Sequence, residues 1–522
     1  MSEHRRTGAL YLPIALAWAA IAVLLHVLIN ARYGYARDEL YFIECAKHLT
    51  WGYVDQPPLA VLVAWLAFPF HFALWAVRLP LALLSGVMVV AGCAVAAQLG
   101  AGRFAQMLTG LLMALAPPYL AQGYILSTEF LSPLAWTGVV YFSLRLVKTG
   151  NARYYLSLAL VITIAMYAKY TMAALVVAML LGLLIAGHAK LLRSKYLVIG
   201  VALAVLLFAP NILWQAHHNW PILEVMHGDK ANRHPVHGIS VESADMLTNA
   251  VVFLLMQILL VNPLLAGIWI WGLLALAFQR AFSAYRYIAV TYGLLVVLMI
   301  LLTARVYYLD GFYPVLFAAG AVSMEILLSF KPRALKAAVL LLVLLLDLPL
   351  MPMTIPLLSL PVYERYEGLL GLSRIGSPDG KPHLVNPAYA DQLGWDDMAR
   401  TVAIAYRSLP AAQRAKTPIF ADRYAYAAAL DFFGPKYGLP RVISPNNSYY
   451  LWGTRGYSGN SMIAVGATDY PLLLRSFDNV RQIAVYRNEK RWILEGPLPV
   501  YLCTRPRATL AQMWPSFKYY GL

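Results

Sequence analysis

Residues 8–30 read GALYLPIALAWAAIAVLLHVLIN, residues 31–58 read ARYGYARDELYFIECAKHLTWGYVDQPP, and residues 72–98 return to FALWAVRLPLALLSGVMVVAGCAVAAQ. Both apolar stretches exceed the roughly 20 residues that a helix needs to cross a hydrocarbon core. The charged, aromatic segment between them has to lie in water or at the interface. That alternation decides the fold: helix, outer loop, helix, threaded through a bilayer. The rest of the chain repeats it. The 522 residues are 61% hydrophobic and 13% charged, with mean hydropathy +0.62, where a soluble domain carries about a quarter charged residues. A polytopic α-helical membrane protein is expected and a soluble globular chain is excluded. A net charge of +16 would suggest nucleic acid for a soluble protein, but here it is expected as inner-loop charge, so no nucleic-acid partner is expected. Cys45, Cys93 and Cys503 are odd in number and far apart, which gives neither a disulfide framework nor a metal knuckle.

Working outward, apolar stretches at 8–30, 72–98, 104–118, 130–147, 154–168, 172–187, 196–213, 246–278, 286–303, 313–329 and 334–350 read as spans, about 11–13 in all. Asn262-Pro263 leaves open one kinked helix or two segments over 246–278. Residues 1–352 form the expected transmembrane domain, with a first outer loop at 31–71. Residues 353–522, rich in Pro, Gly, Asn and Tyr, form the expected soluble domain. With the N-terminus inside, the inner loops carry 14 basic residues and the longer outer segments 8, the asymmetry of the positive-inside rule. The soluble domain then lies outside. The first apolar stretch follows Arg5-Arg6 as a signal peptide would, but it is too long and lacks a small-residue cleavage site, so it is expected as an uncleaved span.

Carboxylates sharpen this orientation. Before residue 353, Asp38, Glu39, Glu44, Asp55, Glu129, Glu224, Asp229, Glu242, Asp245 and Asp310 all fall in predicted outer loops, leaving Glu3, Glu325 and Asp347 elsewhere. Any chemistry is expected to face outward. In the first outer loop, Tyr41, Phe42, Cys45, Ala46 and Leu49 recur at helical spacing over 38–49, which predicts a short amphipathic helix in the interface. Pro57-Pro58 opens a second, with Leu59, Leu62, Trp65 and Leu66 on one side. The pair is expected to hold Asp38 against a lipid-facing cavity, where a partly desolvated carboxylate takes a proton from an acceptor hydroxyl.

Four motifs stand in order: Tyr35-Ala-Arg-Asp38-Glu39-Leu-Tyr41, Asp55-Gln56-Pro57-Pro58-Leu59, Lys169-Tyr170-Thr171, and Arg305-Val-Tyr307-Tyr308-Leu-Asp-Gly-Phe-Tyr313-Pro314. Together they resemble the membrane glycosyltransferases of the C-type (GT-C) fold. The likeness is to the bacterial branch of the dolichyl-phosphate-mannose protein mannosyltransferase group that includes the lipid A aminoarabinose transferase. In the tail, Leu430-Asp431-Phe432-Phe433-Gly434-Pro435 and Asn447-Ser448-Tyr449-Tyr450-Leu451-Trp452-Gly453 resemble a bacterial subset of that group. The resemblance implies a sugar donor on a polyprenyl phosphate, used on the periplasmic face of a bacterial inner membrane. It implies Asp38 as the catalytic carboxylate, with Glu39 as its neighbouring candidate and Asp55 as the second acidic position. It also implies Lys169 and Arg305 as cations on the donor phosphate, where charge grows as the glycosidic bond breaks. This chain departs from its relatives in reading Asp55-Gln56 where they often carry Glu-Lys, which removes one expected phosphate cation.

Tyr41, Tyr307, Tyr308, Tyr313, Trp214, Gln215 and Glu224 are the expected substrate-pocket residues. The 214–245 loop also gathers His217, His218, His227, His234 and His237 of the chain's 11 histidines. Their spacing makes no zinc motif, so no cofactor is called for and a divalent cation is left open. In the tail, 418–421, 442–443, 462–465, 483–485 and 500–502 read as strands and 396–408 and 424–433 as helices, an α/β domain. No phosphate loop, GxGxxG or GxSxG occurs in it, so an acceptor-guiding or structural role is expected. The leading reading is transfer of a sugar from a polyprenyl-phosphate donor to a hydroxyl or phosphate of lipid A or an envelope glycan. A protein hydroxyl as acceptor, or a flippase that leaves the donor intact, are the alternatives.

Overall fold

The computed structural model describes residues 8–231, 246–371, 387–466, 469–488 and 496–521. Contacts divide the chain into two compact units. One comprises Met1–Arg32, Trp75–Ile212 and Ser243–Leu358, the other Tyr33–Leu74, Leu213–Glu242 and Ser359–Leu522. The division by charge at residue 352 therefore differs from the division by contacts. The first outer loop and the start of the histidine-bearing segment fold with the tail.

The first unit is a helical bundle, and all eleven apolar stretches are helical. Six helices among the described residues are long and apolar enough to cross a membrane, or eight if each of two bent pairs is one span. That is fewer than the eleven to thirteen read from apolarity alone, and length is the reason. The Tyr154–Ala168 helix has 15 residues, which at 1.5 Å each reach only about 22 Å of a roughly 30 Å core. Proline sets the breaks. Pro117 follows the Arg103–Leu115 helix, which meets Pro117–Tyr124 at a bend of 51°. At Asn262-Pro263 the question left open resolves into two helices, Met246–Val261 and Ala266–Phe278, bent by 115°. Asn262 holds the break: it takes the Leu264 N–H on its side-chain oxygen at 2.9 Å and donates to the buried Asp347 carboxylate at 2.7 Å.

Large apolar side chains point outward, among them Leu206, Leu247 and Phe278, each at least 70% exposed. This is the pattern of a surface that meets lipid. Inside, small residues let backbones approach. A methyl on Gly272 would strike the Leu316 carbonyl, and one on Gly320 would strike that of Ile268, so the Ala266–Phe278 and Tyr313–Leu327 helices pack at a distance only glycine permits. Glu325 accepts the Gly102 and Phe104 N–H groups at 2.6 and 3.1 Å. It thereby caps the Arg103–Leu115 helix from another part of the chain.

The second unit holds a four-stranded sheet: β1 (Ile419–Ala421), β2 (Ser461–Val465), β3 (Phe477–Tyr486) and β4 (Leu498–Pro506), in the order β1-β2-β4-β3. β1 runs parallel to β2, and β4 is antiparallel to both β2 and β3. The Trp395–Arg407 and Tyr424–Phe433 helices lie where their periodicity predicts. Val442-Ile443 is not a strand, because only Ile443 bridges Phe420. The first-loop helix runs Arg37–Ala46, and every residue from Glu39 to Ala46 is buried. Its apolar side is covered by its own unit, chiefly the Tyr424–Phe433 helix, not by lipid as the amphipathic pattern suggested. The following Leu59–Trp65 helix and its continuation do present Leu62, Trp65, Leu66, Phe68 and Phe70 outward.

Candidate active site

In the first unit the candidate phosphate cations gather around one short turn. Lys169 is the C-cap of the Tyr154–Ala168 helix, at the end where the dipole favours a cation. Its ammonium pairs with Glu129, both side chains being under a fifth exposed. It lies 4.4 Å from the centre of the Tyr308 ring and 5.4 Å from that of Tyr307. Those tyrosines stand on the 3-10 turn Val306–Phe312, and Arg305 just before it reaches the Tyr307 hydroxyl at 3.5 Å. Asp310 in the same turn is buried and accepts from Gln122. Its second carboxylate oxygen has no hydrogen-bond partner among the described residues. Sequence reading placed Lys169, Arg305, Tyr307 and Tyr308 here. Glu129 and Asp310 read in the sequence only as outer carboxylates, since nothing in the local sequence of either names a partner 40 or more residues away.

In the second unit Asp38 and Asp55 are joined through tyrosines. Tyr424 donates to Asp38 at 2.8 Å, and its ring lies 4.6 Å from that of Tyr41. Tyr41 donates to Asp55 at 2.9 Å and accepts the Ser448 N–H at 3.1 Å. Asn447 donates to the other Asp55 oxygen at 3.3 Å. Burial, then the nearby carboxylates, hold both phenols well above their ordinary range, so they stay proton donors. Arg37, the neighbour of Asp38, pairs with Asp391. Burial raises the proton affinity of Asp391, Arg37 opposes this, and Asp38 adds to it. Gln56, at the position where relatives often carry lysine, is buried, and its amide nitrogen has no hydrogen-bond partner among the described residues. Asp391, Tyr424 and Asn447 went unrecognised as site residues. The Asn447-Ser448 motif signalled only one of them.

Other candidates are placed differently. Glu39 is fully buried and accepts the Ala36 N–H at 2.9 Å, closing the helix start as the third residue of a capping box does. Tyr313 is a core residue, donating to Gln257 at 2.6 Å and packed on Trp269. Gln215 is spent on the Tyr53 carbonyl and the Ile222 N–H. Glu224 makes a surface pair with Lys518 at 2.6 Å. Trp214 stacks on His218, ring centres 4.1 Å apart. His234 and His237 lie outside the described residues. Among the described residues no three His, Cys, Asp or Glu groups are placed to hold a metal ion.

Residues 55–214 match the family model described as dolichyl-phosphate-mannose-protein mannosyltransferase. A search of curated proteins returns no match. Among solved structures, ArnT from Cupriavidus metallidurans, crystallised with undecaprenyl phosphate, superposes with a TM-score of 0.56 at 13% identity, covering 94% of this chain and 98% of that one. The Archaeoglobus fulgidus oligosaccharyltransferase, in complex with zinc and sulfate, gives 0.47 at 12% identity over 86% and 67%. The matched segment spans from the Asp55 motif past Lys169, and the fold is shared over nearly the whole chain. The chain accordingly shares the membrane fold of ArnT, the C-type fold, over nearly its whole length, and over residues 55–214 it is similar to the dolichyl-phosphate-mannose-protein mannosyltransferases.

Proposed function

We infer that the enzyme moves a sugar from a polyprenyl-phosphate carrier to a hydroxyl or phosphate of a cell-envelope lipid or glycan, at the periplasmic face of a bacterial inner membrane. The observation that carries this reading is the Lys169 cluster. A largely buried ammonium is held by one carboxylate and two aromatic faces, so an arriving phosphate meets a desolvated cation whose partner can be exchanged. The likeness to a protein crystallised with undecaprenyl phosphate supports the same donor class.

The acceptor oxygen attacks the anomeric carbon from the side opposite the phosphate. The carbon–oxygen bond to phosphate breaks with inversion, and the acceptor proton passes to Asp38, which Tyr424 orients. Lys169 and Arg305 neutralise the charge that gathers on the departing phosphate, where fixed cations lower a barrier most. Asp55, held by Tyr41 and Asn447, and the buried amide of Gln56 are the further polar groups assigned to substrate. Purified enzyme with a radiolabelled polyprenyl-phosphate sugar tests the reading. Release of polyprenyl phosphate with label in an acceptor lipid is expected, and a donor that crosses vesicle membranes intact with no bond broken would make the protein a flippase.

A further inference from the structure

The charged groups of the second unit converge a second time, away from Asp38 and Asp55. A cavity of about 180 Å³ is lined by Glu44, Lys47 and His48 from the first outer loop and by Asp431, Arg441 and Arg455 from the tail. Glu44 lies six residues beyond Asp38 on the same helix, about 240° around its axis, so it serves a different side. Two of the three cations have partners. Lys47 is 2.6 Å from Glu44, and Arg455 is 3.7 Å from Asp431. Arg441 is exposed at the rim and has no ion-pair partner among the described residues. Arg455 is carried with a positive φ between Gly453 and Gly456, a conformation that residues other than glycine rarely adopt. His48 stacks on Trp452 at 4.4 Å. Burial first, then Arg455, Arg441 and Lys47, keep it neutral at lower pH than usual, which is what three cations facing one space would do. Pro435, Leu439 and Pro440 complete the wall.

We propose that this cavity is a binding site for a monosaccharide phosphate, its phosphate on Arg441 and Arg455 and its hydroxyls on the Glu44 and Asp431 carboxylates. Three properties of the wall select that chemistry. The uncompensated guanidinium calls for an anion and favours the fork geometry of a phosphate. The Glu44 and Asp431 carboxyl groups in the same cavity offer oxygens to the hydroxyl groups of a sugar. The prolines, Leu439 and the imidazole face supply apolar surface for the C–H face of a ring. A cavity of about 180 Å³ is of a size for one small ligand. A sugar phosphate reaches the site either free in solution or as the headgroup of a phosphorylated glycolipid. If it is the headgroup, the site holds part of the acceptor, an assignment that rests on the glycosyl-transfer reading, whereas binding itself does not.

Titration calorimetry of the full-length protein in detergent tests this with glucose 1-phosphate, glucose and inorganic phosphate. Glucose 1-phosphate is expected to bind at least about tenfold more tightly than either part alone, since loss of a charged hydrogen bond costs at least that factor. Arg441→Gln should weaken it by about tenfold or more, Arg441→Lys by less, and Arg400→Gln, a surface pair elsewhere in the unit, not at all. Equal binding of all three ligands, or an unaffected Arg441→Gln, overturns the proposal. Competition by micelles of a phosphorylated glycolipid identifies the headgroup as the source, and its absence identifies the soluble sugar phosphate. A protein that binds glucose 1-phosphate but transfers no sugar would keep this site and discard the transferase reading.

Discussion

Asp38 and Glu39 are neighbours in sequence with separate duties, because adjacent helical residues point about 100° apart. Glu39 is fully buried on the Ala36 N–H, whereas Asp38 is partly exposed and held by Tyr424. Asp38→Asn keeps the shape and removes the proton acceptor, so transfer should fall by roughly 10²- to 10⁴-fold while donor binding survives. Glu39→Gln retains a capping side chain and should leave transfer near the wild-type rate. A transfer assay beside a donor-binding measurement on both variants decides, and substantial transfer by Asp38→Asn removes that residue from the chemistry. Lys169→Met should lose donor affinity and turnover together. Glu129→Gln tests the counter-ion: with the charge of its partner gone, Lys169 is released, and donor phosphate should bind more tightly in a direct binding measurement. Weaker donor binding by Glu129→Gln would show that the carboxylate positions the lysine instead of competing for it.

The Arg37–Ala46 helix shows what its own sequence tells and where that stops. Its start, its length and the two-sided character of its residues were legible. Its burial was not, because the amphipathic pattern states that one face is apolar and says nothing of whether lipid or protein covers it. The covering helix, Tyr424–Phe433, is nearly 400 residues away. Partner identity failed for the same reason at Asp391, Glu129 and Gln215, whose interactions are set by the packed fold. Burial of this helix has a measurable result. Burial and the nearby Asp431 push the Glu44 carboxyl up to about 7 against Lys47 and Arg455, and burial raises Asp431 as well. The folded state therefore holds these protons more tightly than the unfolded chain. The contribution is complete below about 4.5, the ordinary glutamate value, and is lost as pH rises to about 7. Thermal unfolding of the purified protein should show falling stability across that window, and Glu44→Gln should flatten the slope. A Glu44→Gln variant with the wild-type pH dependence would place the titration elsewhere. In the bundle, Glu325→Ala should lower stability by about 1–2 kcal/mol through the uncapped N–H groups of Gly102 and Phe104, measurable as an earlier thermal midpoint.

The proposed mechanism depends on which side of the membrane each loop occupies, and the distribution of basic and acidic residues between loops is the sequence signal for it. Basic residues cluster at Arg145–Arg153, Lys190–Lys195, Arg280–Arg286 and Lys331–Lys336, so those loops are expected inside. Asp38, Asp55 and the α/β sheet are then expected outside, the side on which the proposed lipid-borne donor would be used. Cysteine labelling suits this protein, since Cys45, Cys93 and Cys503 are all buried and should give little background. Single cysteines introduced at Trp51, which is 59% exposed, and at Arg400, whose side chain is 60% exposed, should react with an impermeant maleimide added to cells with a permeabilised outer membrane. One at the exposed Arg193 should react only after the inner membrane is opened. The reverse pattern would put the carboxylates in the cytoplasm, where nucleotide sugars are made, and would remove the reason for a lipid-borne donor altogether.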